Sequence, residues 1–144
     1  MKLTEHFTLE EMTVSEYAAR NGLKNTPSET AVQNLKILCT NVLEPLRITL
    51  QKPVIITSGY RSKKLNEAIG GSSTSQHMKG QAADLIVPDM TVEEVFDLIA
   101  KQLPFDQLIE EFGKWVHVSY AGKLRHEKLL AKLVNGKTKY TSVA

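Results

Sequence analysis

Two short apolar runs in this chain each carry one ionisable residue that packing alone does not call for. Asp84 interrupts Ala82-Ala83-Asp84-Leu85-Ile86-Val87, and His117 sits between Val116 and Val118. A carboxylate inside an apolar strand is costly unless it is paired or holds a cation. The strands that carry these residues must therefore meet charge partners inside the fold. His77 lies in Ser75-Gln76-His77-Met78-Lys79-Gly80, a loop of small and polar residues, seven positions before Asp84. Two neutral imidazoles and one carboxylate form a known ligand set for catalytic zinc, which keeps a fourth position open. Each residue also has an ordinary reading: His117 as a hydrogen-bonded strand residue, Asp84 as a turn cap or a partner for Arg61. The spacing His-x6-Asp does not choose between them.

The rest of the chain reads as one α+β domain over residues 1–144, with a mainly antiparallel sheet, helices packed on one side and the candidate metal site at the sheet face. The length of 144 residues suits a single hydrophobic core. Short helical pieces open the chain and close at Gly22. Thr26-Pro27-Ser28-Glu29 predicts a helix start with Thr26 as cap, Pro27 in the first turn and Glu29 reaching back. The helix that follows carries Leu35, Leu38, Cys39, Val42, Leu43 and Leu46 at helical spacing, and Pro45 should kink or tighten its end. Cys39 lies in this stripe and reads as a small core residue; a lone cysteine leaves no internal disulfide. A β-branched strand follows at Val54-Ile55-Ile56-Thr57-Ser58, then a helix from Ser62 to Ile69 that stops at Gly70-Gly71. Thr91-Val92-Glu93-Glu94 opens another helix, closed off by Pro104. Gln107–Phe112 and Trp115–Tyr120 should pair around Gly113-Lys114. Asn135-Gly136 predicts a tight hairpin between Leu130–Val134 and Lys137–Tyr140.

The net charge of +2 is too small and too evenly spread to indicate nucleic acid as the main partner. No run of about 18 apolar residues offers a membrane span, and the first residues lack the apolar stretch of a secretory signal. The expectation is a monomer made in the cytoplasm without a signal peptide.

The stretch Ser58-Gly59-Tyr60-Arg61-Ser62, with Leu65-Asn66, Gly70-Gly71-Ser72, Ser75-Gln76-His77, Gly80, Ala82-Ala83-Asp84 and Trp115-Val116-His117-Val118-Ser119, resembles the zinc D-alanyl-D-alanine carboxypeptidase-type peptidoglycan peptidases, which include phage endolysins. The resemblance runs from about Phe7 to Arg125 and leaves the C-terminal hairpin, about residues 128–144, outside it. It implies that His77, Asp84 and His117 bind one Zn²⁺. It also implies a peptidoglycan stem peptide as substrate, cut at an amide bond by zinc-activated water as a carboxypeptidase or endopeptidase, and action on the cell wall after release, as by a phage or prophage lysin. Arg61 and Ser75 would face the substrate. The Arg61 fork suits a substrate carboxylate and gives it a catalytic as well as a binding role. Gln76 would bind substrate amides or orient His77, and Tyr60 would donate to a developing oxyanion or pack on the sheet as a turn tyrosine.

The general base is where the chain departs from the family pattern. Relatives carry a glutamate three residues before the last histidine ligand, and here that position is Lys114. The nearby candidates are Glu110 and Glu111. A three-residue connection through Phe112-Gly113-Lys114 puts Glu111 on the face of His117, whereas a two-residue turn at Gly113-Lys114 puts Glu110 opposite it. The resemblance of Leu108-Ile109-x-Glu111-Phe112 to the family pattern favours Glu111. Lys114 in the usual base position also leaves a second reading, a catalytically inactive zinc-containing module that binds wall peptides without cutting them.

Overall fold

Capping chemistry fixes where most helices begin. In the computed structural model, which describes residues 1–144, Thr8 caps α1 (Leu9–Thr13) in a full capping box with Glu11, and Ser15 caps α2 (Glu16–Arg20). The next helix, α3 (Glu29–Leu38), starts two residues later than Thr26 would set it, because the Ser28 hydroxyl accepts from the Ala31 N–H at 3.2 Å. Serine is as good an acceptor as threonine at this position. Ala31, Leu35 and Leu38 are the buried residues of this helix. The irregularity expected from Pro45 takes the form of a π-helical turn, Cys39–Leu43, leading into α4 (Glu44–Leu50). Proline has no N–H to continue an ordinary ladder, and a wider turn just before it accommodates that loss. Cys39 is fully buried there, and burial, with Glu11 and Glu44 adding, pushes its thiol up to about 12.

The strands β1 (Ile55–Ser58), β2 (Ala82–Ile86), β3 (Gln107–Glu111), β4 (Trp115–Ser119), β5 (Glu127–Val134) and β6 (Lys137–Ser142) form one sheet in the order β1-β2-β4-β3-β5-β6. Every neighbouring pair is antiparallel except β3 and β5. Between β1 and β2 run α5 (Lys63–Ala68), capped by Ser62, and a 3-10 turn at Gln76–Lys79; α6 (Val92–Gln102) starts on the Thr91–Glu94 capping box. Asn135 and Gly136, both at positive φ, close the β5–β6 hairpin, whose strands reach further than the sequence pattern suggests, back to Glu127 and on to Ser142.

Side-chain alternation sorts the sheet into two faces. Ala83, Leu85, Leu108, Val116 and Val118 belong to the buried core cluster with Leu35, Leu38, Leu43 and Leu46 and with Val95, Phe96 and Ile99 of α6. The residues between them, Asp84, His117, Ile109 and Glu111, therefore turn to the opposite face. Register then aligns the functional positions: Asp84 pairs with His117, His117 with Ile109, and Glu111 with Trp115. A register shift between Ile56 and Ser58 also sets Ser58 opposite Asp84. Such bulges re-aim side chains at strand ends.

Gly80 ends the 3-10 turn at φ +74°, and a side chain there would meet the Ala31 carbonyl oxygen at 2.4 Å. Replacement by alanine is expected to destabilise the fold by about 2 kcal/mol or more, from left-handed strain plus the backbone clash. Urea denaturation of Gly80→Ala against the unmodified chain measures this.

Candidate metal centre

Each member of the His77, Asp84, His117 group is held by a different local device. Ser75 caps the 3-10 turn, its hydroxyl accepting from the His77 N–H at 3.2 Å. The His77 ring donates from Nδ1 to the Gly59 carbonyl at 2.7 Å, which fixes its tautomer and leaves Nε2 free as a ligand atom. That Nε2 lies 3.3 Å from Asp84 Oδ1, and His117 Nδ1 lies 2.9 Å from the same oxygen. One nitrogen or oxygen from each of the three residues falls within 4.8 Å of the other two, and all three residues are buried. Ligands at zinc bond lengths in a tetrahedron stand about 3.3 Å apart. The donor set, its spacing and its burial all fit a single metal ion.

The electrostatics agree with that donor set. Burial works against the charge on Asp84, yet His77 and His117 outweigh it and hold the carboxyl well below the usual range. Burial pushes His77 down, toward the neutral imidazole that a metal requires. A buried carboxylate shared by two imidazoles is thus kept ionised and aimed, ready for a cation.

Around the triad the other candidate residues are distributed unequally. Arg61 lies beside Asp84, its NH2 3.6 Å from Oδ2, and is braced by Ser58 Oγ (3.1 Å from Nε) and Asn66 Oδ1 (3.1 Å from NH1). Asn66, almost fully buried, is itself anchored by donating to the Ser72 carbonyl. The β3–β4 connection has three residues, with Phe112 and Gly113 at positive φ and the Lys114 N–H donating to the Glu111 carbonyl at 3.0 Å. This geometry puts Glu111 on the His117 face, with Oε1 3.6 Å from His117 Nδ1, and sends Glu110 to the other face, where burial and the acidic Glu93 and Asp97 push it up. Burial and the neighbouring Asp84 likewise push Glu111 up. Ser75, Gln76 and Arg61 line the open cleft above the triad, a space of about 720 Å³, together with Glu111 and Trp115. Tyr60 does not line it; it packs against the hydrophobic core, and its N–H donates to the Met12 carbonyl.

A buried carboxylate that the sequence reading passed over, Asp106, organises one end of the cleft. Its oxygens accept from the Arg125 N–H, Nε and NH2 at 2.8 to 3.0 Å and from Gln76 Nε2 at 2.8 Å. The amide of Gln76 is therefore committed to Asp106, tying the turn that bears His77 to the loop before β5. Its signal in the sequence is weak because the two side-chain partners lie 30 and 19 residues away.

Comparison with known proteins decides the family. The model of the family described as Peptidase M15 matches residues 5–119, most of the chain and all three candidate ligands. The chain belongs to the Peptidase M15 family. A curated relative, the zinc D-Ala-D-Ala carboxypeptidase of Streptomyces albus G, is 50% identical over 34 residues, a match that spans 24% of this chain and 13% of that protein. The His/Asp/His group lies within the matched residues and could hold a metal ion. No helix of this M15 chain is long and apolar enough to cross a membrane.

Elemental analysis after dialysis is expected to find one bound metal ion per chain, lost in His77→Ala and His117→Ala. The Asp106 carboxyl is held down at about 2, chiefly by the hydrogen bonds from Arg125 and against the effect of burial. A depressed folded pKa contributes stability that is present above the unfolded value and lost as pH falls through the folded one. Asp106→Asn should therefore cost about 2 kcal/mol at pH 7, a gap that narrows between about pH 4 and pH 2. Denaturant titrations of both proteins across that range check it.

Proposed function

We propose that this chain is a zinc peptidase that hydrolyses an amide bond in peptidoglycan stem peptides or their cross-links, acting on the cell wall after release, with His77, Asp84 and His117 holding one Zn²⁺. The observation that carries the reading is the Glu111 carboxylate, 3.6 Å from His117 Nδ1 and on the open side of the triad. A zinc ion held by His77, Asp84 and His117 would supply the acidity that lowers the pKa of a water toward about 7 and would polarise the scissile carbonyl. Glu111 takes the water's proton at a carboxylate oxygen and passes it to the departing amine. Burial and the Asp84 charge push its carboxyl up, in the direction of a stronger base. Arg61, held by Ser58 and Asn66 beside Asp84, offers its positive charge to a substrate carbonyl or carboxylate. The Ser75 hydroxyl is occupied in capping the His77 turn, so its part is to orient that ligand.

Lys114 occupies the sequence place in which relatives carry their glutamate, and Glu111, on the adjacent strand, is the carboxylate that stands beside His117. The binding-module reading needs Glu111 to be idle. The test is mass spectrometry of muropeptides incubated with the zinc-loaded protein, with a chelated control and with Glu111→Gln. Fragments that require both zinc and Glu111, with turnover falling at least about a hundredfold in Glu111→Gln while zinc content is kept, are expected. Unchanged muropeptides with zinc in place would transfer the assignment to the binding module.

A further inference from the structure

The β5–β6 hairpin lies beyond the residues that the Peptidase M15 model matches, yet it builds one side of the cleft. Its parallel ladder with β3 pairs Glu111 with Ala131, and Ala131 in turn pairs with Tyr140, so Trp115, Glu111, Ala131 and Tyr140 form one row across four strands. Leu129, Thr138 and Tyr140 all line the cleft that contains the triad. Tyr140 is 54% exposed and available to a ligand. Burial, with the charges of Glu111 and Asp84 adding, keeps its phenol protonated.

Charge is distributed unevenly about the reacting position. Arg61 pairs with Asp84 and acts on Glu111 only at longer range, while the residues bordering Glu111 in the sheet and the cleft are the neutral Trp115, Phe112, Ala131 and Tyr140. The second guanidinium in the cleft, Arg125, is committed to Asp106 and lies 3.9 Å from Glu127. Lys114 lines a separate depression with Glu93 and Glu110. Because the base that protonates the departing amine stands next to that amine, the leaving half of the substrate lies on the Glu111 side. A peptidase that removes a terminal residue must hold a free carboxylate there, and a carboxylate brought against apolar walls without a cation is disfavoured.

We infer that the β5–β6 hairpin is a specificity wall for the leaving half of the substrate, with Tyr140 in contact with it, and that the enzyme cuts an internal amide whose amine continues into an uncharged chain in preference to releasing a terminal residue. This inference rests on the peptidase reading above. The alkyl stem of a cross-bridge amine suits an aromatic wall, and a ring such as that of Tyr140 gives contact area at low entropic cost.

The test uses the full zinc-loaded chain on two purified substrates: a cross-linked muropeptide dimer and an uncross-linked muropeptide ending in a free carboxylate. The expected kcat/KM for the dimer exceeds that for the monomer by at least about tenfold. Tyr140→Ala should lower the dimer value by about tenfold, mainly through KM, with a smaller loss for the monomer, and keep zinc content and circular dichroism; Tyr140→Phe should keep most of the dimer activity. Equal or faster release of the terminal residue overturns the inference, as does a Tyr140→Ala enzyme with unaltered preference. Calorimetric binding of both muropeptides to Glu111→Gln gives an independent readout. Tighter binding of the dimer, weakened by Tyr140→Ala, supports the wall even if no bond is cut by the unmodified chain, an outcome that would remove the peptidase reading alone; equal binding of the two overturns the wall.

Discussion

The charge on Asp84 is the constraint from which the rest of the structure follows. It is buried in a central strand whose alternate residues, Ala83 and Leu85, are packed into the core. Such a carboxylate is tolerable only with partners delivered to it. Three separate segments supply them: β4 brings His117 by direct pairing, the capped 3-10 turn brings His77, and the loop after β1 brings Arg61, while the end of β3 sets Glu111 beside His117. The hydrophobic core on one face of the sheet and the polar cluster on the other are two consequences of the same alternation. A strand rotated by one residue would bury the wrong set on both faces.

The outer supports are as much a part of the centre as the three ligands. Gly59 gives its carbonyl to His77 and sits where any side chain would strike the Met12 carbonyl, so α1 is packed directly behind a metal-facing imidazole. Asn66 braces Arg61 from one side, and Asp106 restrains Gln76 from the other. Residues that bind neither metal nor substrate thereby set the aim of those that do.

Much of this was legible in the chain. Asp84 and His117 stand out because they break apolar runs, and His77 because it lies in a loop with no packing role. The Thr91 capping box and the Asn135-Gly136 turn are local signals and appear where the sequence puts them. What escaped depends on distant partners or on small differences between near-equal choices. Ser28 and Thr26 are comparable caps. The parity of Glu110 and Glu111 hangs on whether Phe112 belongs to the turn, which takes a non-glycine residue at positive φ to settle. Asp106 gives little signal in the sequence because its partners are brought to it only by the folded sheet. Tyr140 lies in a hairpin whose strands are too polar to show which face is the inner one.

The hairpin leaves the sheet with an unpaired border at β6. Along that strand Lys137 and Lys139 alternate with Thr138 and Tyr140, and every residue of it is exposed. Exposed borders invite a second chain to add on, and closely spaced lysines oppose this by repulsion. The opposite border, β1, has only four residues and a register shift at its end. One border is guarded by charge and the other by brevity, so the sheet resists edge-to-edge growth while its catalytic face stays open.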